Sequence, residues 1–226
     1  MAETAASKGD AATPRERYRS QVRTEIKERA WEQIATAGAS ALSLNAIARQ
    51  MGMSGPALYR YFAGRDDLIT ELIRDGYRSL ADAFRAAAEG GADLAGLADT
   101  LRHWALADPQ RYFLLYGTPV PGYHAPPDTT AITGEIMAVI LDACAALPAA
   151  TPDPEDGPGA GFDADLATNR AWAGDHPAPP RALRRALGFW TRLHGALSLE
   201  LAGHFTGMRF DPALLYAAEL DSLRSR

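Results

Sequence analysis

The segment from Leu42 to Phe62 carries side chains that could bind the phosphates of a nucleic acid. It reads LSLNAIARQMGMSGPALYRYF, and near its end Tyr59, Arg60 and Tyr61 supply hydroxyl and guanidinium donors. Such donors contact phosphate oxygens and so position a protein on a duplex. Arg65 follows at the start of the next predicted helix, where the helix dipole also favours an anion. The chemistry indicated is noncovalent anion binding.

A run of small residues comes just before these donors. It consists of Ser54, Gly55, Pro56 and Ala57. Small side chains let a helix approach base edges closely, and a recognition helix reads the major groove with its N-terminal residues. The segment therefore has side chains for both phosphate and base contacts. A structural helical hairpin with solvated tyrosine and arginine side chains is the alternative that this pattern alone leaves open.

Two short helices must hold these residues in place. Ser43 is expected to cap the first helix, about residues 44–51, because a serine hydroxyl can accept from an exposed backbone N–H. Gly52 ends that helix, since glycine readily adopts the positive φ of a tight turn. Ser54 caps the second helix, about residues 55–61. This order of helix, glycine turn and helix predicts a helix-turn-helix.

The rest of the chain also has the apolar periodicity of helices, so we expect an all-α fold with two domains. Residues 1–14 are expected to be a disordered tail, and residues 15–65 a three-helix domain that contains the helix-turn-helix. A long connecting helix covers residues 65–89. Residues 90–226 form a second helical domain, to which we assign ligand binding and dimerisation below.

One part of the second domain lacks helical periodicity. Residues 148–180 contain seven prolines and four glycines. Long connections with this composition are usually functional loops or disordered segments. We therefore expect a flexible surface loop, with at most a short helix near residues 164–172.

Charge is distributed unevenly along the chain. The formal net charge of −5 is unusual for a protein that binds DNA. Residues 14–65, however, carry nine lysines and arginines against four acidic residues, whereas residues 66–226 carry thirteen against twenty-two. A local excess of basic charge can hold phosphates, and an acidic remainder discourages the rest of the molecule from lying on DNA. Taken alone, this asymmetry could also be chance.

The order of these motifs resembles the DNA-binding domain of the TetR family of bacterial repressors. The resemblance rests on a long first helix followed by LSLNAIARQMGMSGPALYRYFAGRDDL, and it covers roughly residues 19–80. It implies a recognition helix in the major groove, phosphate contacts from Ser43 and Tyr59, and base contacts from Asn45. Together with the donors and small residues above, the candidate DNA-binding residues are Ser43, Asn45, Ser54, Gly55, Pro56, Ala57, Tyr59, Arg60, Tyr61 and Arg65.

Two positions depart from the usual family pattern. Tyr61 stands where the family usually has histidine, and Arg65 stands where it usually has a phosphate-binding lysine. Tyrosine and arginine are also hydrogen-bond donors. Both replacements therefore keep the ability to bind a phosphate.

The second half resembles the C-terminal domain of a TetR subgroup with a Trp, His-Gly signature. The matching segments are RYFLLYGTPVPGY at residues 111–123 and WTRLHGALSLELAGHF at residues 190–205. Domains of this kind dimerise and bind an inducer. The resemblance therefore implies a homodimer and a small-molecule ligand.

Spacing gives a second indication of association. Apolar positions recur at steps of four and three at Leu183, Leu187, Trp190, His194, Leu197 and Leu201. Such a seam suits packing along another helix, although core packing within one protomer explains the spacing equally well. A two-fold dimer reads two half-sites, which favours association. The two last helices of each protomer could then form a four-helix interface.

Aromatic and soft side chains are concentrated in the second domain, where they could line a cavity for an apolar or aromatic ligand. The candidates are Trp104, Phe113, Tyr116, Met137, Phe189, Trp190 and His194. Core packing is the more frequent role of such residues. His194 could anchor a ligand, or it could be a core histidine bonded to a carbonyl.

An enzyme is the rival class, and the sequence gives it little support. The five histidines form no HExxH pair, and there is no Gly-rich phosphate loop. Cys144 lies in an apolar helix and is expected to be buried packing. We expect no catalytic residue, metal or cofactor. A helical interaction module without DNA affinity is the second alternative, which a steep salt dependence of DNA binding would exclude.

The combined expectation is a transcriptional repressor that a small-molecule ligand releases from a palindromic DNA operator. One cysteine, no apolar leader and no run of about 18 apolar residues favour a cytoplasmic protein without a membrane partner. Activation instead of repression stays open, because contacts with DNA do not set the sign of regulation.

Overall fold

The computed structural model describes residues 13–117, 126–148 and 158–224, and within them every regular element is helical. The expected all-α fold is confirmed. The chain divides into two compact units, residues 1–69 and residues 70–226. Almost all of the expected tail, residues 1–14, lies outside the described residues.

The first unit is built from three helices and the start of a fourth. These are α1 (Pro14–Ala37), α2 (Leu44–Gln50), α3 (Gly55–Leu58) and the first turn of α4 (Arg65–Glu89). A capping box starts α1: the Glu16 N–H donates to the Thr13 hydroxyl at 3.2 Å, and the Thr13 N–H donates to the Glu16 carboxylate at 2.7 Å. The buried stripe of α1 consists of Val22, Ile26, Ala30 and Ile34.

The second unit contains the rest of α4 and six further helices in the described residues. They are α5 (Leu94–Ala107), α6 (Pro109–Tyr116), α7 (Pro127–Ala145), α8 (Pro158–Thr168), α9 (Pro180–Leu201) and α10 (Pro212–Arg224). Five of the six begin at proline, which suits a first helical position because no N–H is needed there. Helix α9 is central, since it contacts α5, α6, α7, α8 and α10.

Helices α4 and α7 are joined by ion pairs within the second unit. Arg74 lies 2.6 Å from Asp128, and Arg78 and Arg85 both reach Glu135, at 2.6 and 3.2 Å. The Arg78 guanidinium lowers the pKa of the Glu135 carboxyl. These groups are partly exposed, so each pair adds little to stability. The pairs show that α4 and α7 are neighbours in the second unit.

The range 148–180 differs from the expected loop. Its residues 149–157 lie outside the described part, but α8 and a short 3₁₀ turn at Ala171–Ala173 follow within the range. Asp163 of α8 pairs with Arg184 of α9 at 2.8 Å, and Leu166 is buried. The sequence did not predict this helix clearly, because its many alanine and glycine residues give it almost no apolar stripe. A tertiary contact with α9 stabilises it instead.

The seam on α9 packs inside its own protomer. Leu183 and Leu197 are fully buried in the second unit, and His194 is only 9% exposed. Core packing, one of the two explanations that the spacing left open, therefore accounts for Leu183, His194 and Leu197, whereas Leu187, Trp190 and Leu201 are half-buried. The face of α9 that remains exposed is a different stripe, which is described below.

No helix in the described residues is long and apolar enough to cross a membrane.

Candidate functional site

The two short helices of the first unit have the caps that their sequence predicts. The Ser43 hydroxyl accepts from the Ala46 N–H, and the Ser54 hydroxyl accepts from the Ala57 N–H, both at 3.3 Å. The N–H of Ser43 donates to the side chain of Gln33 at 3.0 Å. The start of α2 is thereby tied to α1, and the N-termini of both short helices are fixed.

The recognition helix is shorter than expected. Helix α3 ends at Leu58, and Tyr59 to Tyr61 form a turn instead of continuing the helix. The Tyr61 N–H donates to the Leu58 carbonyl at 2.8 Å, which is the tight i to i+3 spacing of a 3₁₀ turn. Phe62 is fully buried directly after this turn. Its burial explains why the chain tightens here.

The candidate DNA-binding residues lie on or next to this pair of helices. Those that are exposed are Asn45, Ser54, Pro56, Tyr59 and Arg60, and those that are half-buried are Ser43, Gly55, Ala57, Tyr61 and Arg65. A Cβ atom on Gly55 would lie 3.6 Å from Oδ1 of Asn45, so the N-terminal turns of α2 and α3 are adjacent. The surface therefore combines small residues with exposed donors.

Arg65 has a structural contact that the sequence did not indicate. Its guanidinium donates to the Ala39 carbonyl at 2.8 Å and lies 3.6 Å from the Asp66 carboxylate. About a third of the Arg65 side chain is exposed. Guanidinium has five N–H donors, so these contacts still leave donors for an anion. Arg65 thus holds the connection between α1 and α2 at the start of α4.

Arg23 is a positioning residue that the sequence reasoning missed. Its guanidinium lies 4.3 Å from the centre of the Phe62 ring and donates to the Tyr61 carbonyl at 2.6 Å. It therefore fixes the end of the recognition segment from α1. The sequence offered one indication of this role: Arg23 directly follows Val22, which belongs to the apolar stripe of α1.

Replacing Gly52 with alanine is expected to destabilise the helix-turn-helix. Gly52 has φ +65° in the turn after α2 and no atom within 4 Å of its added Cβ, so the cost is backbone strain alone. We expect Gly52→Ala to lower the free energy of unfolding by about 1–2 kcal/mol in a urea titration. Gly64→Ala is the control, because Gly64 has open space around it without a positive φ. Equal effects would contradict this account of the turn.

The second unit contains an aromatic cluster made of Tyr77, Tyr112, Tyr116, Trp190 and His194. The centre of the His194 ring lies 4.2 Å from the ring centre of Trp190 and 4.3 Å from that of Tyr116. Tyr116 also meets Tyr77 of α4 edge-on, at 5.8 Å. Helices α4, α6 and α9 therefore converge on one site.

The hydroxyl of Tyr112 is the centre of a hydrogen-bond network in this cluster. It donates to the backbone carbonyl of His194 at 3.1 Å, and it lies 3.1 Å from His194 Nδ1 and 2.8 Å from the Ser198 hydroxyl. Such a network fixes the orientation of the imidazole ring. Tyr112 therefore contacts His194 twice, once at Nδ1 of the imidazole and once at the backbone carbonyl.

Two polar atoms of the cluster remain without a hydrogen-bond partner in the described residues. They are Nε2 of His194 and the hydroxyl of Tyr116, and both are buried. An unsatisfied buried group costs about 1–3 kcal/mol. Burial also lowers the pKa of His194 to about 3 and raises the pKa of Tyr116, so both side chains are uncharged at neutral pH.

Acidification is expected to reduce stability through His194. Because its pKa is about 3 when folded and 6.5 ordinarily, the unfolded chain binds the proton more readily between these values. The free energy of unfolding is therefore unaffected by protonation of His194 above pH 6.5, and it decreases as the pH falls from 6.5 towards 3. Between pH 7 and pH 5 the loss is up to about 2 kcal/mol. Urea titrations at both values should show a smaller difference for His194→Gln, and an equal difference would contradict the assignment.

The other ligand candidates of the sequence lie in the hydrophobic core around this cluster. Phe113 meets Tyr112 edge-on at 5.7 Å, and Phe189 is fully buried. Met137 is half-buried against the same core. Trp104 has a different setting: its indole N–H donates to Ser79, and the Arg111 guanidinium covers its ring.

The sequence analysis did not identify three residues at this site: Tyr77 and Tyr112 of the cluster, and Ser198, which is bonded to Tyr112. A signal for two of them was present, because Tyr112 is four residues before Tyr116 and Ser198 is four residues after His194. Residues four apart share one face of a helix. Tyr77 had no such signal, since only tertiary packing brings α4 to this site.

The described residues contain no group of three or more histidine, cysteine, aspartate or glutamate side chains that could hold a metal ion. Cys144 is buried, and burial raises the pKa of its thiol to about 12. A thiol in this environment is a poor nucleophile because the thiolate is the reactive form.

Comparison with family models matches both units. Residues 26–72 match the model for bacterial regulatory proteins of the tetR family, and residues 94–223 match the model for the tetracyclin repressor-like C-terminal domain. The second match alone covers more than half of the chain.

Individual relatives agree with these matches. HTH-type transcriptional regulators of Mycobacterium bovis and Mycobacterium tuberculosis H37Rv are both 37% identical over 214 residues, which is 89% of this chain and 90% of each relative. The crystal structure of the regulatory protein SCO4313 is 70% identical, covers 95% of this chain and 100% of its own, and has a TM-score of 0.85. A tetR-family regulatory protein from Rhodococcus RHA1 is 18% identical, with a TM-score of 0.57 and coverage of 91% and 96%, and shows the fold alone.

Proposed function

We propose that this chain, which belongs to the TetR family of DNA-binding transcriptional regulators, is a repressor that a small apolar or aromatic ligand releases from a palindromic operator. The observation that carries the proposal is the pairing of two different sites in one chain. The first unit has a helix-turn-helix with exposed donors. The second unit has an aromatic cluster with buried, unpartnered polar atoms.

In this proposal the surface of α2 and α3 contacts the operator. Tyr59 and Arg60 are exposed and can donate to phosphates, while Asn45 and the Gly55–Ala57 turn lie near base edges. Ser43, Ser54, Tyr61 and Arg65 complete the proposed contacts. We propose further that this DNA-binding role requires no catalysis and takes place in the cytoplasm.

The homodimer is proposed to form through an exposed face of α9 and α10. This α9–α10 face consists of Gly188, Thr191, Gly195 and Leu199 of α9 with Leu215 of α10, and the exposed Leu214 precedes Leu215 in the chain. Leu199 and Leu214 are 45% and 70% exposed, and contiguous exposed apolar surface marks sites of protein–protein interaction. Apart from the backbone of α9 itself, no atom of the described residues lies within 4 Å of a Cβ placed on Gly195, so a second helix can approach closely there. We propose that two copies of this face pack together as a four-helix interface.

Helix α4 is proposed to couple the ligand site to DNA. It begins in the first unit and continues in the second, where its Tyr77 meets Tyr116 of the aromatic cluster. A ligand that fits the cluster better in one position of α4 shifts the population towards that position. Operator affinity then changes because the two recognition helices change their separation.

Selection of genomic DNA tests the proposal. The purified protein is mixed with sheared DNA of its own source organism, and retained fragments are sequenced after washing at two salt concentrations. We expect a recurring palindrome whose half-site centres are about 34–36 Å apart, or a multiple of this, and which is lost at the higher salt. Retention of fragments without any shared sequence would contradict a specific operator. A reporter gene behind the palindrome then separates repression from activation.

A further inference from the structure

Two polar atoms on neighbouring rings of the aromatic cluster indicate what kind of ligand would suit it. His194 Nε2 and the Tyr116 hydroxyl are both buried without a partner among the described residues, and their rings are centred 4.3 Å apart. His194 as a whole is only 9% exposed. Buried polar atoms in proteins are nearly always hydrogen-bonded. Two unpartnered atoms on neighbouring rings therefore point to a polar group of a bound molecule.

The hydrogen bonds of Tyr112 determine which nitrogen of His194 carries the hydrogen. A phenol has one hydrogen, and the His194 carbonyl oxygen can only accept, so this hydrogen belongs to the contact with the carbonyl. We therefore assign the hydrogen of the imidazole to Nδ1, which lies 3.1 Å from the same phenol oxygen and can donate to it, as the Ser198 hydroxyl can at 2.8 Å. A neutral imidazole has only one N–H. Nε2 is therefore a bare acceptor and requires a donor from the ligand.

The charge of the cluster indicates an uncharged ligand. Burial keeps the imidazole of His194 neutral by lowering its pKa, and the side chains of Tyr77, Tyr112, Tyr116 and Trp190 carry no charge at neutral pH. On α6 itself, Arg111 is directed to Trp104, where it covers the ring and donates to the backbone carbonyl. A carboxylate in the cluster would lose its hydration without gaining a cation, which is costly.

We propose that the ligand is an uncharged aromatic molecule with a hydroxyl or N–H group, which donates to His194 Nε2 and accepts from the hydroxyl of Tyr116. The inference rests on the proposed ligand-responsive function and names the class of ligand. The rings of the cluster stack against the aromatic part of such a molecule. Tyr112 and Ser198 are positioning residues, because they act through the orientation and tautomer of His194.

Four small probes of similar shape separate the parts of this proposal. Phenol can donate and accept, anisole can only accept, toluene can do neither, and benzoate is an anion. Binding of each probe to the full-length protein is followed by NMR, through the ¹⁵N signal of His194 Nε2. Before any addition this signal should be that of an unprotonated nitrogen. Phenol should bind about tenfold more tightly than anisole, and anisole about tenfold more tightly than toluene. Benzoate should bind more weakly than phenol.

Tyr116→Phe removes one hydroxyl and keeps the ring. We expect this variant to bind anisole and toluene equally while it still prefers phenol to anisole. Trp190→Phe is the matched control, because it removes apolar contact area and leaves both polar atoms in place. It should weaken all four probes and leave their ratios unchanged.

Three results would overturn the inference. One is a protonated Nε2 in the free protein, the second is equal binding of phenol and anisole by the unmodified chain, and the third is no binding of phenol at millimolar concentration. In the last case the two atoms bind only water. Retention of a palindrome from genomic DNA needs no ligand, so it judges the proposed regulatory function separately.

Discussion

Leu199→Arg is expected to convert the proposed dimer into a monomer and to lower its affinity for the operator at least a hundredfold. Leu199 is 45% exposed on the α9–α10 face. In a two-fold interface the substitution buries two arginines without partners, and an unpaired buried charge costs several kcal/mol. A monomer keeps one recognition helix and loses the second half-site. Sedimentation velocity measures the mass, and fluorescence anisotropy measures operator binding.

Leu106→Arg is the matched control for this experiment. Leu106 lies on α5 and is 42% exposed, so the same change in charge and size is made at a leucine outside the α9–α10 face. It should leave the chain dimeric and the operator affinity unchanged. If both variants remain dimeric and bind DNA normally, the α9–α10 face is not the interface.

Arg60→Ala is expected to weaken operator binding by about ten- to a hundredfold and to reduce its salt dependence. Arg60 is exposed after the turn of α3, and a dimer would use it twice. Each lost phosphate contact lowers the slope of log K against log salt by about 0.9, so the dimer should lose about 1.8. Titrations at four salt concentrations give both quantities. Tyr59→Phe should weaken binding less, because it removes a neutral donor.

Arg29→Ala controls for the loss of charge. Arg29 lies on α1 in the same unit, is 41% exposed and pairs with Glu32 at 3.0 Å. The Arg29→Ala substitution removes one positive charge from the first unit, as Arg60→Ala does, but at a position outside the proposed contacts with DNA. We expect nearly normal affinity and an unchanged slope. If the two arginine variants behave alike, Arg60 contributes only to net charge and does not contact a phosphate.

The local signals in the sequence identify the helices of this protein well. The serine caps of α2 and α3 and the buried stripe of α1 lie where residue types and spacing predict them. Prolines mark the starts of many helices, because a first helical position needs no N–H donor. These features depend on neighbours within one turn, which is why a single chain is enough to predict them.

Contacts between distant segments explain what the sequence did not show. The 3-4 spacing on α9 shows which positions are apolar but not which helix covers them, so it could not decide whether Leu183 and Leu197 pack within the protomer or against a partner. Helix α8 has almost no apolar stripe, and its packing on α9, which includes the Asp163–Arg184 pair, joins separate segments of the chain. Tyr112 and His194 meet across 82 positions of the chain, and no periodicity indicates that pairing.

One competition measurement tests the central claim most directly. Two duplexes are compared for binding to the full chain: the selected operator, and the same operator with one half-site scrambled. A dimeric reader should bind the intact duplex with two protomers and at least a hundredfold more tightly, with a steep decline as salt is raised. Equal affinity for both duplexes at every salt concentration would contradict a two-fold DNA reader and leave the helix-turn-helix without its proposed role.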